Sequence, residues 1–247
     1  MSSYRLVHPE SDREYLRRPG EELQTDLGVI EVPDDAAHGD VLETHLGEPF
    51  HVRRLRGPDL FNHFARTGAP MMPRDIGLVI GHTGAQSGDR VLDAGTGTGV
   101  LSGYLGRIGA DVTTYEVDPE FAENARENMA MGGVSDRVDV RTGDLTEALD
   151  DLAAGEPFDL VTLDTADADA VVARAPELLV PGGYVAVYTP FVEDARDAEL
   201  AAREAGLAEV ETLETIRREL TVDDRGTRPG TAGVGHTGYL LFGRRSE

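Results

Sequence analysis

Two spacings of apolar residues organise this chain. From about residue 90 onward, short apolar runs alternate with stretches whose apolar positions recur every three or four residues. The first spacing predicts strands and the second predicts helices. The strand-like runs are Val91-Leu92-Asp93, Val112 to Glu116, Val138 to Arg141, Phe158 to Asp164 and Tyr184 to Tyr188. Between them fall helix-like stretches at residues 100 to 108, from Asp118-Pro119 to Met131 with Phe121, Ala125 and Met129 on one face, and from about Ala168 to Leu179. A repeated β-α unit implies a parallel sheet, with ligands at the carboxyl ends of its strands. After a helix at about 194 to 205, the runs Val210 to Glu214 and Thr237 to Gly243 suit an antiparallel pair at a sheet edge. The expected fold class is therefore α/β and Rossmann-like, with six parallel strands and one reversed.

Residues 1 to about 66 lack this alternation. They carry β-like runs at Tyr15-Leu16, Leu27 to Pro33 and His45 to Val52, separated by turn formers. A small N-terminal β domain over residues 1–66 and a larger α/β domain over 67–247 follow. In Met71 to Ile80, Pro73 near a helix start precedes apolar residues at helical spacing, so a helix should feed the first strand of the sheet.

The first β-α junction carries the clearest chemistry. Val91-Leu92-Asp93-Ala94-Gly95-Thr96-Gly97-Thr98-Gly99-Val100 is a strand ending in an acid, a turn with glycines at alternate positions, and a helix start. Residues without Cβ let the backbone approach a ligand, and the unpaired amides of a helix start attract anions. A nucleotide-like cofactor is the natural occupant, with a plain tight turn and a solvated acid as the bland alternative. The spacing is G-x-G-x-G, not the G-x-G-x-x-G of dinucleotide sites. Asp93 at the strand end can accept from an ammonium group, a combination that points to S-adenosylmethionine. Glu116 ends the next strand and suits ribose hydroxyls, a feature both cofactor classes share. Asp144, just past the third strand, can meet an adenine amine or cap the following helix. Asp164 ends the fourth strand. Four acids at successive strand ends make a site there.

Composition narrows the setting. The chain has no cysteine, which excludes disulfides, thiol nucleophiles and thiolate metal sites. No apolar run approaches the roughly 20 residues needed to cross a bilayer, and the opening residues show no signal-peptide pattern. A cytoplasmic protein without membrane or metal is expected. The net charge is -23, and all 23 basic residues are arginine. A lysine-free acidic surface is similar to those of proteins that work in molar salt. At about 1 M salt the Debye length is roughly 3 Å, so the charge does not exclude an RNA partner. Arg53, Arg54, Arg56 and Arg66 lie close together in sequence and suit either phosphates or ion pairs with neighbouring acids. Arg217, Arg218, Arg225 and Arg228, with His236, form a second basic stretch.

These residues carry a resemblance. Thr44-His45-Leu46-Gly47-Glu48, Arg66 before Pro73-Arg74-Asp75, the glycine turn, Tyr115-Glu116, Leu163-Asp164, Tyr188-Thr189-Pro190, Arg218-Glu219, Arg228-Pro229 and Gly235-His236-Thr237 together resemble the tRNA (adenine-58-N1)-methyltransferase family, TrmI, in an archaeal, salt-adapted form. The resemblance implies the seven-stranded class I methyltransferase fold with an N-terminal β domain, S-adenosylmethionine as cofactor and a homotetramer. It also implies formation of 1-methyladenosine in the tRNA T-loop, with position 58 alone or 57 and 58 together left open. It makes Asp164 the catalytic aspartate. It assigns Asp93, Gly95, Thr96, Gly97, Thr98, Gly99, Val100, Glu116, Asp144 and Asp164 to the cofactor, and Arg66, Met72, Tyr188, Arg217, Arg218, Arg225, Arg228 and His236 to RNA. Helix capping by Asp164, packing by Met72 and a local hydrogen bond at His236 are the competing structural roles. The chain departs from the family pattern at Met72, Phe191 and Leu220, so stacking on the target base would fall to other residues. A methyltransferase acting on a protein carboxylate or a small molecule, and a non-catalytic RNA-binding subunit of the same fold, are the alternative functions.

Overall fold

The computed structural model describes residues 3–230, 235 and 238–246. The chain divides into two compact units, Met1–Ile76 with Gln86–Gly88 and Thr96–Asp144, and Gly77–Ala85 with Asp89–Gly95 and Leu145–Glu247.

In the first unit, strands β1 (Tyr4–Val7), β2 (Glu14–Arg17), β5 (Val41–Glu43) and β6 (Pro49–Arg54) form an antiparallel sheet in the order β2-β1-β6-β5. Strands β3 (Glu22–Thr25) and β4 (Gly28–Glu31) form a separate hairpin. Leu6, Leu23, Ile30, Val32, Phe50 and Val52 make their common core, each at most 2% exposed. The alternation along β6, where Phe50 and Val52 are buried between more exposed neighbours, is that of a sheet covered on one face. Of the expected β run from His45 to Val52, the first part is a turn and only the end is strand. Thr44 holds that turn, its Oγ1 accepting from the amides of Leu46 and Glu48. A short helix α1 (Gly57–His63) follows; Asp59 near its start accepts from the Arg56 amide at 2.6 Å and from the Arg5 guanidinium at 2.7 Å.

The same unit contains α3 (Val100–Ile108), β8 (Asp111–Glu116), α4 (Pro119–Gly132) and β9 (Val138–Thr142), with β8 and β9 parallel. Helix α4 is delimited as its sequence requires. Asp118 Oδ1 accepts from the amides of Glu120 and Phe121, Pro119 opens the helix, and Gly133 at φ 69° closes it.

The second unit holds β7 (Arg90–Ala94), α5 (Leu145–Ala153), β10 (Phe158–Leu163), α6 (Ala168–Leu178), β11 (Leu179–Thr189), α7 (Val192–Glu204), β12 (Ala208–Glu214) and β15 (Tyr239–Arg244). Helix α2 (Pro73–Thr83) leads toward β7. The seven-stranded sheet has the order β12-β15-β11-β10-β7-β8-β9. Strand β10 is parallel to β7 and β11, and β15 is antiparallel to β11 and β12. Buried along nearly its whole length, β10 has the continuous apolar run of a strand covered on both faces. Strand β11 is longer than the expected run Tyr184 to Tyr188: it begins at Leu179 with an irregular register and takes in Val180 to Gly183. Between β12 and β15 the chain forms an additional hairpin, β13 (Leu220–Asp223) and β14 (Gly226–Pro229). Turn residues Asp224 and Arg225 close it, and no apolar periodicity announces it. Among the described residues no helix is long and apolar enough to cross a membrane.

Candidate functional site

The glycine turn begins at the end of β7. Gly95 has φ 83°, and a Cβ there would lie 1.9 Å from the backbone oxygen of Asp164. Only glycine fits, because both the dihedral and the contact exclude a side chain. The close approach is closed by a 2.9 Å hydrogen bond from the Asp164 amide to the Ala94 carbonyl. β7 and β10 thus leave their pairing together, with Asp93 opposite Thr162 in the register. Asp93 is 3% exposed, and its Oδ1 accepts from the Thr162 hydroxyl at 2.5 Å. Burial raises the pKa of Asp164 to about 7, and the neighbouring charge of Asp93 adds to the shift. A carboxyl with this pKa changes charge near neutral pH, whereas a solvated aspartate does not.

In the first unit, the rest of the turn is tied to β8. The Thr96 and Thr114 hydroxyls share a buried 2.5 Å hydrogen bond, and the Thr96 amide donates to the Tyr115 carbonyl. Glu116 is buried at the end of β8. Its two oxygens accept from the amides of Gly97, at 2.8 Å, and Asp118, at 3.1 Å. Gly99, at φ 77°, starts α3, and a Cβ there would come within 2.6 Å of Met129 Cε. Val100 is buried in the first turn of α3. Asp144 lies two residues past the end of β9 and is half-buried.

Asn128 was not identifiable as important from the sequence. It is 1% exposed. Its Nδ2 donates to the carbonyls of Thr98 and Ala65, and its Oδ1 accepts from the Ala65 amide. The Thr67 amide donates to Thr98 Oγ1. One side chain therefore links the glycine turn to the segment carrying Arg66. The only sequence signal was an amide on the buried side of an otherwise apolar helix face, four residues after Asn124, with which it also bonds.

The residues expected to meet RNA are placed as follows. Arg66 is exposed and its guanidinium lies 4.8 Å from the centre of the Phe61 ring. Met72 is half-buried just before α2, and Met71 is buried. Tyr188 sits near the end of β11 with Gly238 against its ring, where a Cβ would come within 2.6 Å. Arg217 pairs with Glu219. Arg228 makes a two-pronged contact with Asp223 at 2.7 and 2.8 Å, and Arg225 faces the same acid at 3.9 Å. Arg218 is exposed. His236 lies outside the described residues. The departures Phe191 and Leu220 are 62% and 64% exposed. Among the described residues no group of three or more His, Asp or Glu side chains is arranged to hold a metal ion.

These features fit an adenosyl cofactor carrying a sulfonium and an amino acid. The chemistry present is a buried acid at the end of β7, a buried acid at the end of β8, and a turn without side chains at Gly95, Gly97 and Gly99.

Comparison with known proteins agrees with this chemistry. Residues 65–227 match the family model described as tRNA methyltransferase complex GCD14 subunit. The chain is 30% identical to the tRNA (adenine(57)-N(1)/adenine(58)-N(1))-methyltransferase TrmI of Methanocaldococcus jannaschii, over 99% of this chain and 95% of that protein. It is also 30% identical to the tRNA (adenine(58)-N(1))-methyltransferase TrmI of Thermus thermophilus, over 85% of this chain and 83% of the relative. Among solved structures, an S-adenosylmethionine-dependent O-methyltransferase from Thermotoga maritima superposes with a TM-score of 0.78 at 24% identity, covering 99% of this chain and 93% of the other. The tRNA (m1A58) methyltransferase TrmI of Aquifex aeolicus superposes with a TM-score of 0.72 at 22% identity, covering 99% and 97%.

Proposed function

We propose, for a chain that belongs to the GCD14/TrmI family of tRNA methyltransferases, an S-adenosylmethionine-dependent tRNA (adenine-N1)-methyltransferase that acts in the T-loop. The observation that carries the reading is the half-buried Asp164 carboxyl, with its pKa near 7, at the end of the strand whose exit is locked to the glycine turn.

Asp93, Gly95 to Val100, Glu116 and Asp144 are the residues that would hold the cofactor. When bound, it supplies a methyl group on a sulfonium for in-line displacement. The remaining work belongs to the chain, and most of it is positioning. Adenine N1 attacks through its own lone pair and needs no base beforehand. The carboxylate of Asp164 accepts from the exocyclic N6 amine, orients the ring and balances the positive charge that develops on it. Methylation at N1 would leave the base cationic. Loss of an N6 proton to Asp164 then gives the neutral product, and a pKa near 7 suits a group that accepts and later releases that proton. Thr162 keeps Asp93 oriented throughout. The target base is stacked in the folded T-loop and must be extruded at a cost of about a few kcal/mol. Arg66, Met72, Tyr188, Arg217, Arg218, Arg225, Arg228 and His236 are the proposed RNA contacts.

The finer expectations belong to the same proposal. Residues 1–66 act as an N-terminal β domain for RNA and subunit contacts and 67–247 as the catalytic domain, in a cytoplasmic homotetramer of an archaeal, salt-adapted enzyme. The acidic, lysine-free composition supports the last point.

The test is to incubate the protein in molar KCl with S-adenosylmethionine and an unmodified tRNA transcript, digest the RNA and search for 1-methyladenosine by mass spectrometry. A T-loop product, mapped to 57, 58 or both, is expected. Cofactor binding with no methylated RNA would refute the substrate.

A further inference from the structure

The acidic surface absorbs most of this protein's arginines into ion pairs, including Arg126 with Glu123, Arg137 with Asp111, Arg174 with Asp150 and Arg203 with Glu199. One group within the first unit behaves differently. Arg17 and Arg54 flank Tyr4 on adjacent strands, each directly opposite it in the register. Arg54 and Tyr4 line a cavity of about 360 Å³ together with Arg107, Asp34 and Asp35. Among the described residues Arg54 and Arg107 form no ion pair, although two carboxylates line the same cavity.

Arg107, on α3, is held from behind. Its guanidinium donates to the Leu55 carbonyl at 2.8 Å and to the Gly132 carbonyl at 3.1 Å. Burial lowers its pKa, and Arg56 and Arg54 lower it further against the opposing pull of Asp59. Like charges have been gathered here in a molecule where positive charge is scarce. An anion entering the cavity would relieve that repulsion.

We infer that this cavity of the first unit, with Arg54 at the end of β6 and Arg107 on α3 in its lining, binds one nucleotide of the RNA, with its phosphate on Arg54 and Arg107. Guanidinium groups match phosphate oxygens in paired, planar geometry. Asp34 and Asp35 repel a bare anion but accept from ribose hydroxyls and exocyclic amines, groups that RNA carries beside each phosphate. Tyr4 supplies an aromatic wall. The volume lies at the lower end of that of small-molecule sites, a size suited to a single nucleotide. The inference rests on the proposed tRNA substrate and deepens it: the cavity grips a nucleotide that is not the one methylated.

The experiment measures tRNA binding by filter retention across a KCl series for the wild-type protein and for Arg54→Ala, Arg54→Lys and Asp35→Asn. Arg54 is exposed, so these substitutions spare the core; Arg107 is left intact because it bridges two backbone segments. Arg54→Ala should weaken binding about tenfold and flatten the slope of log K against log salt by roughly 0.7–0.9, the share of one phosphate. Arg54→Lys should keep the slope while losing part of the affinity. In the wild-type protein, ultraviolet crosslinking should join tRNA to the peptide containing Tyr4, and 5′-AMP should compete with this better than inorganic phosphate at equal concentration. Affinity and slope unchanged in Arg54→Ala would overturn the inference, as would equal competition by inorganic phosphate. A wild-type protein that binds tRNA through this cavity yet forms no 1-methyladenosine would refute the proposed function instead, so the two failures are separable.

Discussion

Replacing Asp164 with asparagine should abolish catalysis and stabilise the protein, with a stabilisation that depends on pH. Burial and the charge of Asp93 raise the Asp164 carboxyl from an ordinary 3.8 to about 7 in the folded protein. A raised carboxylate pKa means that the folded state holds its proton where the unfolded chain has lost it. Stability is therefore fully present below about pH 4, falls as pH rises through the interval to about 7, and levels off above it. Each pH unit of that interval is worth about 1.4 kcal/mol. The full interval gives about 4 kcal/mol, which relaxation and water entry reduce to about 2. Asparagine has no such ionisation, so the gap between variant and wild type should widen from pH 4.5 to pH 7 and stay constant to pH 9. Urea denaturation of both proteins without cofactor, at half-unit pH steps, measures this gap directly. A gap that does not change with pH would refute the assigned environment of Asp164. A variant that retained wild-type turnover would refute its catalytic role.

Other substitutions probe the parts around it. Thr162→Val removes the hydroxyl on Asp93 and should raise the KM for S-adenosylmethionine about tenfold, the loss of one charge-assisted hydrogen bond, with a smaller effect on kcat. Thr162→Ser should restore it, and steady-state kinetics decide the matter. Gly95→Ala places a Cβ 1.9 Å from the Asp164 backbone oxygen at a φ of 83°; a loss of at least about 2 kcal/mol in thermal unfolding is expected, together with loss of cofactor binding. Asn128→Ala cuts the link between the glycine turn and the segment around Arg66. It should cost about 1–2 kcal/mol, chiefly by leaving the buried Thr98 carbonyl without its Asn128 donor, and speed hydrogen exchange at Ala65 and Thr67.

Much of the fold is legible in the sequence because its signals are local. The alternation of apolar spacing from Val91 to Tyr188 marks strands and helices with a period each element must obey. Gly95, Gly97 and Gly99 mark a tight turn, with Gly95 at a place where a side chain would strike the backbone of Asp164, and acids at the strand ends mark where a ligand belongs. The N-terminal module was legible only in kind. Its strands are three to six residues long, too short for periodicity to register Tyr4–Val7 or the hairpin partner of Gly28–Glu31.

What tertiary structure decided are the relations between residues far apart in the chain. Thr162 meets Asp93 across 69 positions, Asn128 meets Ala65 across 63 and Arg107 meets Leu55 across 52. Nothing in the neighbours of Thr162 or Arg107 announces these contacts. The pKa of Asp164 belongs to the same class, since burial and the nearness of Asp93 determine it and neither is a property of the residues beside it in sequence. The sequence by itself determined which elements form and which residue types line their ends, because backbone preference and periodicity act over a few residues. Only the folded chain decided which side chains orient which and which charges are crowded or buried, because hydrogen bonds and electrostatic interactions depend on distance in space.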